Sequence, residues 1–250
     1  MECFVIRQKR CIIMNISEII SDALVYPLNN IKALIIYVIL GIIAGLAVGG
    51  TVIGVASGIS SNNAWLTGGA GIIGIIISII AILLISGYEL DIVKYAIDRN
   101  SGAPGIDILR QVTNAVKLII VDIVYYIIPI VVAFLLRFLL GNGILTLLII
   151  FIVAVVFSFA AFMARCRLAK SDELMDALSI GEAIGDISRV GFINIILTVI
   201  VIFVIVIVIA IIVGLITNAN STIGGILMGI LGVYLAFFIN RAVGLLYSNA

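Results

Sequence analysis

Long, uninterrupted apolar runs dominate the chain, separated by polar stretches of two alternating kinds. Six runs stand out, at roughly 33–56, 69–87, 118–140, 144–164, 191–216 and 223–246. Each is near or above the ~20 residues a helix needs to cross about 30 Å of hydrocarbon. They are continuously apolar and lack the short alternation of barrel strands, so each is predicted as a membrane-spanning helix. The second run is the shortest. Of the connections, 57–68, 141–143 and 217–222 contain no Lys or Arg. The stretch 88–117 carries Lys94, Arg99, Arg110 and Lys117, and 165–190 carries Arg165, Arg167, Lys170 and Arg189. Arg7, Lys9, Arg10 and Lys32 precede the first run, and Arg241 sits near the end of the last. The positive-inside rule then places both termini in the cytoplasm of a multi-pass cell-membrane protein. Arg137 alone breaks the alternation, near the outer end of its span, where a long side chain snorkels to the interface.

Between the spans the pattern changes period. In 16–24, Ile16, Ile19, Ile20, Ala23 and Leu24 line one helical face opposite Glu18, Ser21 and Asp22, and Pro27 is expected to end that helix. In 106–116, Leu109, Val112 and Val116 oppose Asp107, Arg110 and Asn114 after the break "NSGAPG". In 172–190, Leu174, Leu178, Ile184 and Ile187 oppose Asp172, Asp176, Glu182, Asp186 and Arg189. These three stretches are predicted as amphipathic helices lying in the membrane plane on the cytoplasmic side. Taken with the spans that follow, they suggest three parallel units beginning near 15, 105 and 172. The fold class expected is an all-α membrane bundle of six transmembrane helices with cytoplasmic in-plane helices.

Composition narrows the function. The 250 residues are 64% hydrophobic and 11% charged, with a mean hydropathy of +1.40. A soluble domain holds roughly 45–50% apolar and about 25% charged residues. Residues 14–250 read as one membrane domain, and 1–13 as a disordered tail or start-site extension ahead of Met14. The net charge of +1 offers no basic field for nucleic acid. The chain has no histidine, which removes His-based nucleophile pairs, HExxH proteases and His-ligated zinc or haem. Cys3, Cys11 and Cys166 show neither CxxC spacing nor a disulfide framework. No Walker-type loop is present. No catalytic residue, cofactor or metal ligand is assigned, and an enzyme is not expected.

The stretches "ALVYPLNN" at 23–30, "GYELDIVKYAIDRNSG" at 87–102 and "IVYYIIP" at 123–129 carry a resemblance. Together they resemble an uncharacterised polytopic membrane family, the domain of unknown function 4013, common in methanogenic archaea. The likeness extends over most of the chain from Met14, although "APGIDIL" lacks an aromatic associated with the family there. It implies a cell-membrane location and no particular activity.

Asp122 is the one carboxylate inside the predicted spans, about 6–8 Å from the inner start of its helix. At that depth it reaches headgroups or an inner-face base such as Lys117 or Arg241. Asn194 and Asn240 fall at a similar level, so Asp122, Asn194, Asn240 and Arg241 form a candidate inner-face polar layer. Pro129 removes the bond to the Tyr125 carbonyl and is a candidate kink. Two small-residue series, Gly41-Gly45-Gly49 and Gly50-Gly54-Gly58, are candidate packing faces. Trp65 reads as an interface anchor, and "NST" at Asn220 as a glycosylation pattern on a loop too close to the spans for use. Two functions fit. The first is a non-enzymatic structural or assembly component whose partners are the bilayer and a second copy or another membrane protein. The second is a carrier or permease for a small or lipidic solute, with Asp122 and Pro129 lining its path.

Overall fold

A computed structural model describes residues 14–61 and 64–250. Nine helices make up its regular structure: α1 (Ile16–Asn29), α2 (Ile31–Ser60), α3 (Ala64–Ile97), α4 (Ile108–Leu140), α5 (Ile144–Ser171), α6 (Leu174–Ala177), α7 (Ile180–Val190), α8 (Phe192–Ala219) and α9 (Ser221–Tyr247). Six of them, α2, α3, α4, α5, α8 and α9, are long and apolar enough to cross a membrane. The protein is thus an all-α, multi-pass membrane bundle, built from the hairpins α2–α3, α4–α5 and α8–α9 with α9 packed against α1, α2, α3 and α8. Both described ends meet at one end of the bundle, here called the base. There the Met14 amide donates to Asn249 Oδ1 (3.1 Å) and Asn249 Nδ2 donates to the Met14 carbonyl (3.0 Å).

Local chemistry explains most boundaries. Asn15 opens α1 with a capping box: its side chain accepts from the Glu18 amide at 2.9 Å, and Glu18 accepts from the Asn15 amide at 3.0 Å. Asp107 caps α4 through the Arg110 amide, and Asn220, the residue of the glycosylation pattern, caps α9 through the Ile223 amide. Gly141 ends α4 at φ 72° and Gly191 separates α7 from α8 at φ 92°, conformations that suit a residue without Cβ.

Four elements depart from the sequence expectation. The second run is no short span: α3 is the longest helix, with 34 residues. Glu89, Asp91 and Lys94 mark a change of solvent, but buried Tyr88, Leu90, Ile92, Val93 and Ala96 continue the apolar face and carry the helix onward. The 106–116 stretch is not a separate helix, because α4 starts at Ile108 and runs unbroken through Pro129. The 172–190 stretch breaks at Leu178–Ser179 into α6 and α7, and Asp186, expected on the polar face, is 1% exposed. Pro27 does not end α1; one further turn closes as the Asn30 amide reaches the carbonyls of Tyr26 and Pro27.

The tightly packed interior sits at the base. One cluster joins α1, α3, α4, α5, α7 and α9 around Tyr125, Met163, Leu168 and Phe238. A second stacks Tyr37 on Tyr88 at 4.0 Å between ring centroids, with Phe237 against both. Toward the far end the helices expose long apolar side chains such as Val52, Phe138, Ile144 and Leu215.

The stretch between α3 and α4 binds the base together through its own backbone. Tyr26 Oη donates to the Gly102 carbonyl (3.4 Å), Asn30 Nδ2 to Ser101 (3.1 Å), Tyr88 Oη to Pro104 (3.3 Å) and Arg241 Nη1 to Asn100 (2.5 Å), and Arg110 donates to Gly105. Five carbonyls that no helix or sheet would satisfy are therefore bonded by side chains from α1, the α1–α2 junction, α3, α9 and α4. Arg241 is 2% exposed, pairs with Asp22 at 2.7 Å, and lies 4.8 Å over the Tyr26 ring. Burial at this node pushes the Tyr26 hydroxyl up to about 12, so it remains a donor.

Candidate functional site

Helical spacing on α3 puts Ile82, Ser86, Glu89 and Val93 on one face, and on α4 it aligns Ala115, Leu118, Ile119 and Asp122. These faces meet Arg165 of α5 and Asn240 of α9 around a cavity of about 180 Å³. Arg165 grips Asp122 with two bonds, Nε to Oδ1 at 2.9 Å and Nη2 to Oδ2 at 2.8 Å. This is the parallel fork that a guanidinium makes with a carboxylate. Glu89 borders the same cavity and has no salt bridge among the described residues.

The depth of the group follows from helix length. Glu89, Asp122, Arg165 and Asn240 lie 18–25 residues from the far ends of their helices at Ala64, Leu140, Ile144 and Ser221. At 1.5 Å per residue that is roughly 27–38 Å, at or beyond the ~30 Å of a hydrocarbon core. The cavity therefore sits at the boundary layer of the base. It gathers two carboxylates, one guanidinium, an amide and a hydroxyl above apolar walls. Among the described residues no group of three or more carboxylate or thiol side chains is gathered to hold a metal ion.

Of the four residues expected to share a polar layer, the structure brings Asp122 and Asn240 to this cavity. Arg241, one residue away on α9, turns to Asp22 and the loop carbonyls instead. Asn194 is exposed at the start of α8 and donates to the Val190 carbonyl (3.3 Å). The partner of Asp122 is Arg165, neither Lys117 nor Arg241. Lys117 bonds the Asp172 carboxylate at 2.8 Å, and this holds the Asp172 carboxyl below the usual carboxylate range. Pro129 sits about two turns further along α4 and is not among the lining residues.

Of the α2 glycines, Gly41, Gly45 and Gly50 make no close backbone approach. A Cβ on Gly41 would meet Val233 at 3.4 Å, and one on Gly45 or Gly50 would meet nothing within 4 Å. Gly54 is half-buried and Gly58 buried, while Gly49 and the side chain of Trp65 lie outside what is described. Tight crossings are seen at glycines of other helices. A Cβ on Gly74 would lie 1.7 Å from Thr51 Oγ1, one on Gly87 would lie 1.9 Å from the Gln111 carbonyl oxygen, and one on Gly244 would lie 2.5 Å from the Val93 carbonyl oxygen.

Sequence reasoning missed Ser86, Glu89 and Arg165. The signal was present in the 4-3-4 spacing of Ile82, Ser86, Glu89 and Val93, visible only if the helix is continued past residue 87. Comparison with known families adds membership. The model of the family described as "Protein of unknown function (DUF4013)" matches residues 70–218. The chain belongs to this family. In this DUF4013 member the match takes in α3 through nearly all of α8, and with them Glu89, Asp122 and Arg165. It includes two of the three stretches that carry the resemblance and leaves out "ALVYPLNN" at 23–30. Those stretches hold the staples of the base: Tyr26 and Asn30 on the loop, Gly87 under Gln111, Tyr88 on Tyr37, and Tyr125, whose hydroxyl donates to the Ala177 carbonyl at 2.9 Å. Neither the curated proteins nor the solved structures yield a match.

Proposed function

We propose that this integral membrane protein is a non-enzymatic carrier, and that its solute is a small or lipidic molecule with a cationic head. One observation supports the reading above the others: side chains from four helices converge on one cavity with two carboxylates, Glu89 and Asp122, against a single guanidinium, Arg165. Glu89, at the boundary layer of the base, is not ion-paired among the described residues. A cationic head balances it, while Ile82 and Ile119, exposed on the rim, suit an apolar tail. The Lys and Arg distribution makes the base cytoplasmic, so the cavity loads from that side.

The test is uptake of labelled alkylammonium ions into proteoliposomes. Glu89→Gln and Asp122→Asn are expected to lower uptake at least tenfold while both proteins still fold. Equal uptake by wild type and Glu89→Gln overturns the carrier reading. A structural or assembly role is the second reading, favoured by the broad apolar faces of α2 and α8, where Val52 and Leu215 stand well exposed. Native mass spectra of mildly extracted protein separate the two: a stoichiometric protein partner supports assembly, and a retained small cation supports transport.

A further inference from the structure

Two carboxylates border the cavity between α3, α4, α5 and α9, and they are not equivalent. Asp122 is held by Arg165 through two parallel bonds of 2.9 and 2.8 Å, a pair whose charges cancel. Glu89 borders the same space without a salt bridge among the described residues. The groups that face it are Asp122 from α4, Arg165 from α5 and the Asn240 amide from α9, with Ser86 one turn earlier on its own helix. Helix α2 packs on α3 through Tyr37 against Tyr88 and adds nothing to the lining. Lys94 and Lys117 lie five residues nearer the base than Glu89 and Asp122, about 7–8 Å along their helices. Both lysines are tied to Asp172, at 3.7 and 2.8 Å. The cavity therefore holds one net negative charge with Glu89 ionised, and none with Glu89 protonated.

Location decides how that difference is used. At the boundary layer of the base Glu89 is half-buried, near enough to water to gain and lose a proton. Carrying the site inward is another matter, because an unbalanced charge inside hydrocarbon is expensive. Two cations remove that cost, the head of the solute and a proton, and both need the same carboxylate. Asp122 serves neither, since its guanidinium is already in place.

We infer that Glu89 is an exchange site at which a proton and the cationic head alternate, so that the protein runs as an electroneutral antiporter. This rests on the carrier reading above. On loading, the Glu89 carboxylic acid gives its proton to water and the cation takes the place of that proton; on release a proton returns. The cavity is neutral in both forms, and one proton crosses against each solute. Because the two ligands share one carboxylate, their competition is reciprocal. Wherever Glu89 is protonated, each further unit of acid pH weakens cation binding about tenfold.

The test uses the full chain in phosphatidylglycerol vesicles with a trapped pH dye, and labelled tetramethylammonium as the solute. This ion has no dissociable proton, so proton movement beyond that of protein-free vesicles passes through the protein. An apolar cavity of about 150 Å³ admits benzene, and this one, at about 180 Å³, has room for tetramethylammonium. Vesicles more acidic inside by about two pH units are expected to take up the ion at least tenfold faster than vesicles without a gradient, and their interior should turn alkaline. A membrane potential imposed with potassium and valinomycin should change the rate less than twofold. Glu89→Gln should move no proton, whereas Glu89→Asp keeps an exchangeable carboxyl and should keep the coupling. In detergent, at a pH where binding is weakening, wild-type protein should release one proton per ion bound, a measurement that depends on no variant. Uptake that moves no proton, or that follows the membrane potential, overturns exchange and leaves the carrier reading standing. No uptake and no binding of the ion at any pH overturns both.

Discussion

Gly87→Ala places a methyl group 1.9 Å from the Gln111 carbonyl oxygen, 2.5 Å from its carbon and 2.7 Å from its Cα. All three atoms are backbone of α4, so no side chain can rotate away. Ordinary contact begins at 3.4 Å, and α3 and α4 must therefore separate by about 1.5 Å at this crossing. Overpacking of this kind costs about 1–3 kcal/mol. The same separation stretches the bonds that Asp91 accepts from Asn114 (2.9 Å) and Arg110 (3.2 Å) beyond hydrogen-bond range, and a bond to a charged group contributes about 1.5–3 kcal/mol. Alanine returns only about 0.5–1 kcal/mol of helix preference. A net loss of about 3 kcal/mol lowers the melting temperature by roughly 6–12 °C for a chain of this size. Cys166, fully buried in α5, reports the transition through a thiol-reactive dye once Cys3 and Cys11 are replaced by Ser. Gly45→Ala, whose methyl meets nothing within 4 Å, is the control and should melt at or slightly above wild type. A Gly87→Ala protein melting within about 2 °C of wild type would refute the reasoning, because the backbone approach would then be absent.

Further expectations follow from the base. Asp186 accepts from Arg167 (3.1 Å), Arg189 (2.8 Å) and the Tyr247 hydroxyl (2.7 Å), so Asp186→Ala removes three bonds to one buried carboxylate, while Arg167 keeps the carboxylate and carbonyl of Asp176, and should cost about 1.5–3 kcal/mol in dye-monitored melts. Arg241→Lys loses the fork that reaches both Asp22 and the Asn100 carbonyl, and should cost about 2 kcal/mol even though the charge is kept. The Asp172 carboxyl, held down chiefly by its bond from Lys117, contributes stability above the ordinary carboxylate range that is lost as the pH falls through its lowered value. Asp172→Asn should flatten that acid limb in melting profiles. An impermeant maleimide should label Ala250→Cys in intact cells only after permeabilisation; labelling before it would reverse the orientation read from the Lys and Arg distribution.

The bundle was legible because hydrophobic length is a one-dimensional property, and six runs long enough to span needed no partner to be recognised. The site was half legible. Asp122 stands alone among aliphatic residues and announces itself, whereas Glu89 is followed by Asp91 and Lys94 and reads as the exit from a span. Arg165, beside Arg167 and Lys170, reads as an inside charge; only the α4–α5 contact turns it into the partner of Asp122. Gly45 and Gly49 form a visible periodic series, while Gly87 and Gly244 mark crossings without one, since the approach depends on the backbone of another helix. The loop node was unreadable in principle: its acceptors are carbonyls, identical at every residue. What the sequence did show there was the donors, as the aromatic, Asn and Gly residues of the stretches resembling the family.

The concentration of buried aromatics, ion pairs and bonded carbonyls at the base gives the surrounding lipid a structural task. At the base, protein holds protein, through buried aromatics, ion pairs and bonded carbonyls. At the far ends the large side chains of Phe138, Ile144 and Leu215 stand free of other protein, so the hairpin tips rest on acyl chains as a cast rests in its mould. Removing the bilayer takes away the mould at one end only. In detergent, amide exchange should grade along each helix, slow where α3 crosses α4 and quick near α2's far turns, and a change of bilayer thickness would be felt first at the tips.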